Sequence, residues 1–176
     1  MYSGPLIAAL AGAVALTAAI SDVRQRRIPN ALTYSSALAG IAVQTAAYGW
    51  RGLVSSVAGG VCFGGLLLVF YLIRAMGAGD VKLAAALGCI VGLGASVQVM
   101  LATAISGGIF AIVFMVWSRN TGEILRSTVS VLGFHARHGF KAHPVINLDN
   151  PKTVRMPYGI AFAAGTLYWT IGSLWR

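Results

Sequence analysis

From Leu83 to Trp117 the chain carries no charged residue. A stretch that is apolar on every face has no side to present to water, so it belongs in lipid or in a fully enclosed core. It is too long for one span even with tilt, and Gly92-Leu93-Gly94 is the natural break. Four other runs are equally free of charge: about Pro5 to Ile20, Ala31 to Tyr48, Leu53 to Ile73 and Pro157 to Leu174. A helix needs about 20 apolar residues to cross a bilayer. With 57% hydrophobic and 10% charged residues, the chain lacks the polar surface of a soluble domain. In hydrocarbon each backbone N–H and C=O must be satisfied within its own segment. The expectation is an all-α polytopic membrane protein of about six transmembrane helices, with residues 1–176 forming a single membrane-embedded domain. The fourth span, about Val81 to Val91, is short, which suits packing against protein rather than lipid. The fifth covers about Ala95 to Trp117. Pro5, Pro29 and Pro157 fall at or just before helix starts, where proline costs least.

Charge orients these spans. Arg24, Arg26, Arg27, Arg74, Lys82, Arg119, Arg126, Arg137, Lys141, Lys152 and Arg155 share one side, leaving Arg51 and Arg176 opposite. That is 11 of the 13 basic residues, so this side should be cytoplasmic and both termini outside. The N-terminal run lacks a basic flank before it, which favours a retained first helix over a cleaved signal. The net charge of +9 lies between spans rather than along one soluble face. It points to anionic lipid and away from nucleic acid.

Only four acidic residues occur, and two stand at span ends. Asp22 closes the first apolar run and Asp80 opens the fourth. An ionisable residue at a transmembrane segment is a functional candidate by default. Both acids fall on the predicted cytoplasmic boundary, and antiparallel neighbouring helices would set them side by side. Two adjoining carboxyls can share a proton and activate a water for hydrolysis. The helix dipole further suggests Asp80, at a helix start, as the ionised base and Asp22, at a helix end, as its protonated partner. Gly77-Ala78-Gly79-Asp80 is a small-residue turn where glycine lets a second chain approach. Alone, a GxGD string is weak, because the acid could simply cap a helix.

The combination of Asp22-Val23-Arg24, Arg26-Arg27-Ile28-Pro29-Asn30 and Gly77-Ala78-Gly79-Asp80-Val81-Lys82 resembles the type IV prepilin peptidases, in the short branch serving Flp (tad) pili. Pro157-Tyr158-Gly159-Ile160-Ala161 supports the likeness. The resemblance implies an aspartic endopeptidase of the bacterial cytoplasmic (inner) membrane, with its active site at the cytoplasmic membrane boundary. Its substrate would be a pilin precursor, cut between a short basic leader and an apolar segment. Asp22 and Asp80 would be catalytic, with Gly77, Gly79, Lys82, Arg24, Pro29 and Asn30 binding substrate or supporting the site. No metal or organic cofactor is required. Larger relatives carry a cytoplasmic domain between the first two spans and also methylate the new N-terminus. Here only a short turn separates those spans, which argues against methyltransferase activity. Homo-oligomerisation is left open, as is the role of the loop at about 118–156.

Other readings remain. A presenilin-like GxGD intramembrane protease predicts the same acids, but no Pro-Ala-Leu motif is present. A transporter or assembly scaffold could use the carboxyls for protons or cations. Glu123 to Phe134 has the pattern of a helix lying in the membrane interface. His135, His138 and His143 lack a companion acid or cysteine at metal-site spacing, so metal binding is not expected. Cys62 and Cys89 read as buried thiols. Serine catalysis lacks a GxSxG elbow.

Overall fold

The computed structural model describes residues 4–117 and 158–175, with isolated positions between 122 and 134. Among the described residues the chain is helical and contains no strand. The helices are α1 (Pro5–Gln25), α2 (Asn30–Leu72), α3 (Ala78–Val91), α4 (Leu93–Trp117) and α5 (Gly159–Leu174). The all-α membrane architecture expected from the apolar runs is therefore present. Part of the Glu123 to Phe134 stretch, and His135, His138 and His143, lie outside the described residues.

Among the described residues three helices, α1, α2 and α4, are long and apolar enough to cross a membrane. At 14 and 16 residues, α3 and α5 fall short of a full span, so helix length alone does not yield the expected six. α2 covers both the second and third expected spans. Its 43 residues are broken at Gly49, with φ 60 and ψ −141, a backbone conformation open to glycine and strained for other residues.

The two arms of α2 embrace α3. On the first arm, Asn30 lies against Lys82 and Gln44 against Ile90. On the second, Ser56 meets Cys89 and Gly64 meets Ala85. The first arm thus runs with α3 and the second against it, making a hairpin that closes at Gly49. Small residues permit this closeness: a Cβ on Gly40 would stand 2.7 Å from the Ile90 nitrogen, and one on Gly64 would stand 2.7 Å from the Ala85 Cβ. Between membrane helices lipid removes most of the hydrophobic driving force, so close packing of small residues carries the association. Gly60, Gly64, Gly88 and Gly92 all lie at this α2–α3 contact.

The break between α3 and α4 falls at Gly92, with φ 76, as the glycine pair predicts. Ending a helix inside the apolar layer leaves carbonyls without partners, each costing several kcal/mol in hydrocarbon. Side chains from α2 supply the donors. Ser56 Oγ donates to the Cys89 carbonyl at 2.6 Å, and Gln44 Nε2 donates to the Ile90 carbonyl at 2.9 Å. The Leu93 N–H in turn donates to Ser55 Oγ at 3.2 Å.

Leu83, Ala84, Ala86, Leu87 and Ile90 are all buried, so α3 is enclosed by protein, as its shortness suggests. α1 adds an alanine face of Ala8, Ala11, Ala15 and Ala18, and α5 packs antiparallel to it, with Thr170 bonded to the Ala8 carbonyl at 3.3 Å. α5 also runs antiparallel to α4, where Gly165 meets Thr103 and Gly107 meets Ala161. Leu101, Ile105, Ile109 and Ile112 of α4 remain exposed, as lipid-facing residues do. The end of α1, the starts of α2, α3 and α5 and the end of α4 therefore meet at one pole of the bundle.

Candidate active site

Asp22 sits in the last turn of α1, which closes at Arg26 in the left-handed conformation, φ 51. The Arg26 N–H donates to the Asp22 carbonyl at 2.8 Å, and Ser21 Oγ donates to the Arg27 carbonyl at 2.9 Å, shaping the turn that leads to Pro29. The Asp22 side chain is buried, at 9% exposure. Its Oδ2 accepts the backbone N–H of Gly159 at 2.8 Å, so the first residue of α5 is aimed at this carboxyl.

Asp80 occupies the first turn of α3 and is half-buried. Its Oδ2 accepts the Gly77 N–H at 3.3 Å, the return half of a capping box. Asp80 precedes the apolar run that begins at Val81 and lies outside the three helices long enough to span. Burial, then the charge of nearby Asp22, push its pKa up to about 6, against the lowering effect of the Gly77 N–H. The two acids, apart in sequence, thus lie close enough for the charge of Asp22 to act on Asp80. Tyr158, the residue before α5, lies within electrostatic reach of Asp80.

This geometry removes the basis for naming Asp80 the ionised base. Burial outweighs the helix start at Asp80, and α5 presents a helix start to Asp22 as well. Helix ends alone no longer distinguish the two carboxyls.

The supporting residues fare differently. Gly77 and Gly79 have no left-handed backbone, since the positive-φ glycines are Gly49 and Gly92. The chain that approaches Gly79 is the protein's own: a Cβ there would stand 3.4 Å from the Ile28 Cβ. Pro29 precedes α2 with φ −62 and ψ 134. Lys82 Nζ donates to Asn30 Oδ1 at 2.9 Å and stands 5.3 Å from the centre of the Tyr34 ring. These contacts bind the α1–α2 turn to the start of α3. Arg24 is exposed, and among the described residues no ion pair joins it to either acid. Sequence reasoning gave Gly159 no part in the site; the signal available was a glycine at a helix start within Pro157-Tyr158-Gly159.

A family model described as the type IV leader peptidase family matches residues 9–112. The chain belongs to the type IV leader peptidase family. The match contains both Asp22 and Asp80, whereas Gly159 lies beyond it. No curated protein and no solved structure matches the chain significantly.

Two further features bear on where a functional site can lie in this member of the leader peptidase family. A cavity of about 1000 Å³ opens at the opposite pole, lined by residues including Gln44, Tyr48, Gln98 and Trp169. Among the described residues its lining holds no carboxyl, histidine or cysteine that could activate a water or its serines, Ser55 and Ser173. Among the described residues no group of three or more His, Cys, Asp or Glu is placed to hold a metal ion.

Proposed function

We propose that this protein is a prepilin peptidase of the bacterial cytoplasmic membrane, serving Flp-type pili, with Asp22 and Asp80 as an aspartic dyad. The observation that carries the reading is the placement of the two acids at one pole, at the end of α1 and the start of α3, near enough for the charge of Asp22 to act on Asp80. In the proposed reaction one carboxylate takes a proton from water, and the resulting hydroxide adds to the scissile carbonyl. The other carboxyl, protonated, donates to the carbonyl oxygen as negative charge develops there. Collapse of the tetrahedral intermediate expels the amine, which leaves with a proton returned by the dyad. The products are a free leader carboxylate and a mature pilin N-terminus.

The pole that holds the acids also carries Arg24, Arg26, Arg27, Arg74 and Lys82. A basic leader gains little from such a field, so recognition rests on the extended chain at the cleavage point and on packing of the pilin's apolar helix. Anionic lipid neutralises the arginines. In this reading α5 and the apolar part of α3, from Val81 onward, lie within the membrane beside the three longer helices, and the acid-bearing pole, with Asp80, is at its cytoplasmic boundary.

Cleavage of a purified pilin precursor in proteoliposomes tests the proposal. The wild-type protein should remove the leader. Asp22→Asn and Asp80→Asn should each insert normally and lose about a hundredfold to ten-thousandfold in rate, the usual range for a missing acid or base. Processing at the wild-type rate by either variant removes that residue from the mechanism. Proton-coupled transport without cleavage by the wild type would instead favour a transporter.

A further inference from the structure

We infer that the backbone N–H of Gly159 is a positioning donor for Asp22, and that glycine is required there because the α1–α5 contact leaves no room for a side chain. This inference rests on the two-aspartate reading of the site. Gly159 is the first residue of α5, where an N–H has no partner within the helix. That N–H meets Asp22 Oδ2 at 2.8 Å. A Cβ on Gly159 would stand 2.9 Å from the Asp22 Cβ, 3.0 Å from Asp22 Oδ2 and 3.0 Å from the Ala19 Cα. Two of those three atoms are fixed by the α1 backbone, so they cannot swing aside as the tip of a long side chain would. Added bulk must push α5 away from α1 or turn the carboxyl from its place.

The bond fixes one of the two carboxyl oxygens of Asp22 and leaves the other for water or Asp80. It comes from a part of the chain beyond the family match, so the dyad is completed by a helix that follows the 118–157 segment. Among the described residues, only packing would otherwise restrain rotation about the Asp22 side chain. Holding a reacting group in one orientation is worth large rate factors, and small displacements are costly.

Two changes at position 159 separate space from hydrogen bonding. Gly159→Ala adds the clashing carbon. Replacing Gly159 by glycolic acid, which makes the 158–159 linkage an ester, deletes the N–H and adds no side chain. The ester form should fold and bind pilin precursor with KM within about twofold of wild type, while kcat falls about tenfold to a hundredfold, the scale for losing a hydrogen bond to a charged group. Gly159→Ala should lose at least as much. Gly172→Ala, on the same helix with nothing within 4 Å of the new carbon, should match wild type. A second measurement does not depend on cleavage: the infrared carboxyl band that Asp22→Asn abolishes should be displaced in the ester form. A displaced band with an inactive wild type would sustain the contact and overturn the peptidase reading. An unmoved band, or an ester form with wild-type kcat, would overturn the positioning role while leaving the peptidase reading intact.

Discussion

Lys82 and Asn30 join two helix starts: the ammonium on α3 donates to the amide oxygen at the head of α2 over 2.9 Å. The same ammonium stands over the Tyr34 ring. Together with Ile28 against Gly79, this link ties the turn after Asp22 to the turn carrying Asp80. Lys82→Met keeps the apolar stem and removes the charge. It should lower leader cleavage about threefold to tenfold, with a loss of stability of about 0.5–1.5 kcal/mol, as for one hydrogen bond. Asn30→Ala should do the same, and the double variant should be little worse than either single one. Additive losses in the double variant would show that the two residues act separately.

Asp80 should titrate differently once its neighbour is neutral. Its pKa is raised to about 6 by burial first and by Asp22 second. In Asp22→Asn the second cause disappears, so the pKa should fall. It should stay above the ordinary 3.8, because burial persists. Infrared titration of the Asp80 carboxyl measures this directly. An unchanged pKa in Asp22→Asn would mean that the acids do not feel each other.

The same shift makes stability depend on pH. Between about pH 3.8 and pH 6 the folded protein holds a proton on Asp80 that the unfolded chain has released. The unfolded state then binds fewer protons, so stability falls as pH rises through that window. Melting curves in detergent should show the decline, and Asp80→Asn should flatten it. A wild-type melting temperature that rises across the window, or equal slopes in the two proteins, would rule out this contribution.

Gly88 tests the small-residue contact between α2 and α3. A Cβ there would run into the Gly59 backbone and stand 2.9 Å from the Gly60 Cα. Gly88→Val should cost about 1–3 kcal/mol or prevent stable insertion, as overpacking does. Gly108→Ala on α4 meets nothing within 4 Å and should leave stability unchanged or raise it by about 0.5–1 kcal/mol. Similar melting temperatures for the two variants would show that helix propensity, not packing, governs both.

Topology can be checked by cysteine labelling in a Cys62→Ala, Cys89→Ala background. α4 ends and α5 begins at the acid-bearing pole, so His135→Cys should react from the same face as a probe at Arg27→Cys. With 11 of the 13 basic residues assigned to that face, it should be the cytoplasmic one. Labelling of position 135 only from the outer face would overturn the arrangement.

Residue order alone determined the all-α membrane character, because uncharged runs from Pro5 to Ile20 or Leu83 to Trp117 leave no solvated face for any other fold. It also marked the break at Gly92, where paired glycines fall within a run too long for one span. Asp22 and Asp80 stood out because an acid at a span end is costly enough to need a reason. Local pattern could not show that Asn30 to Leu72 folds as a hairpin around α3, since that depends on which glycines meet which backbones. Nor could it set the electrostatics of the pair. The helix dipole is a local property, and it made Asp80 the base. Burial by neighbouring helices and the N–H of Gly159 are properties of the packed bundle, and they removed that distinction. A carboxyl's environment is built from residues far away in sequence, so only the tertiary structure could decide it.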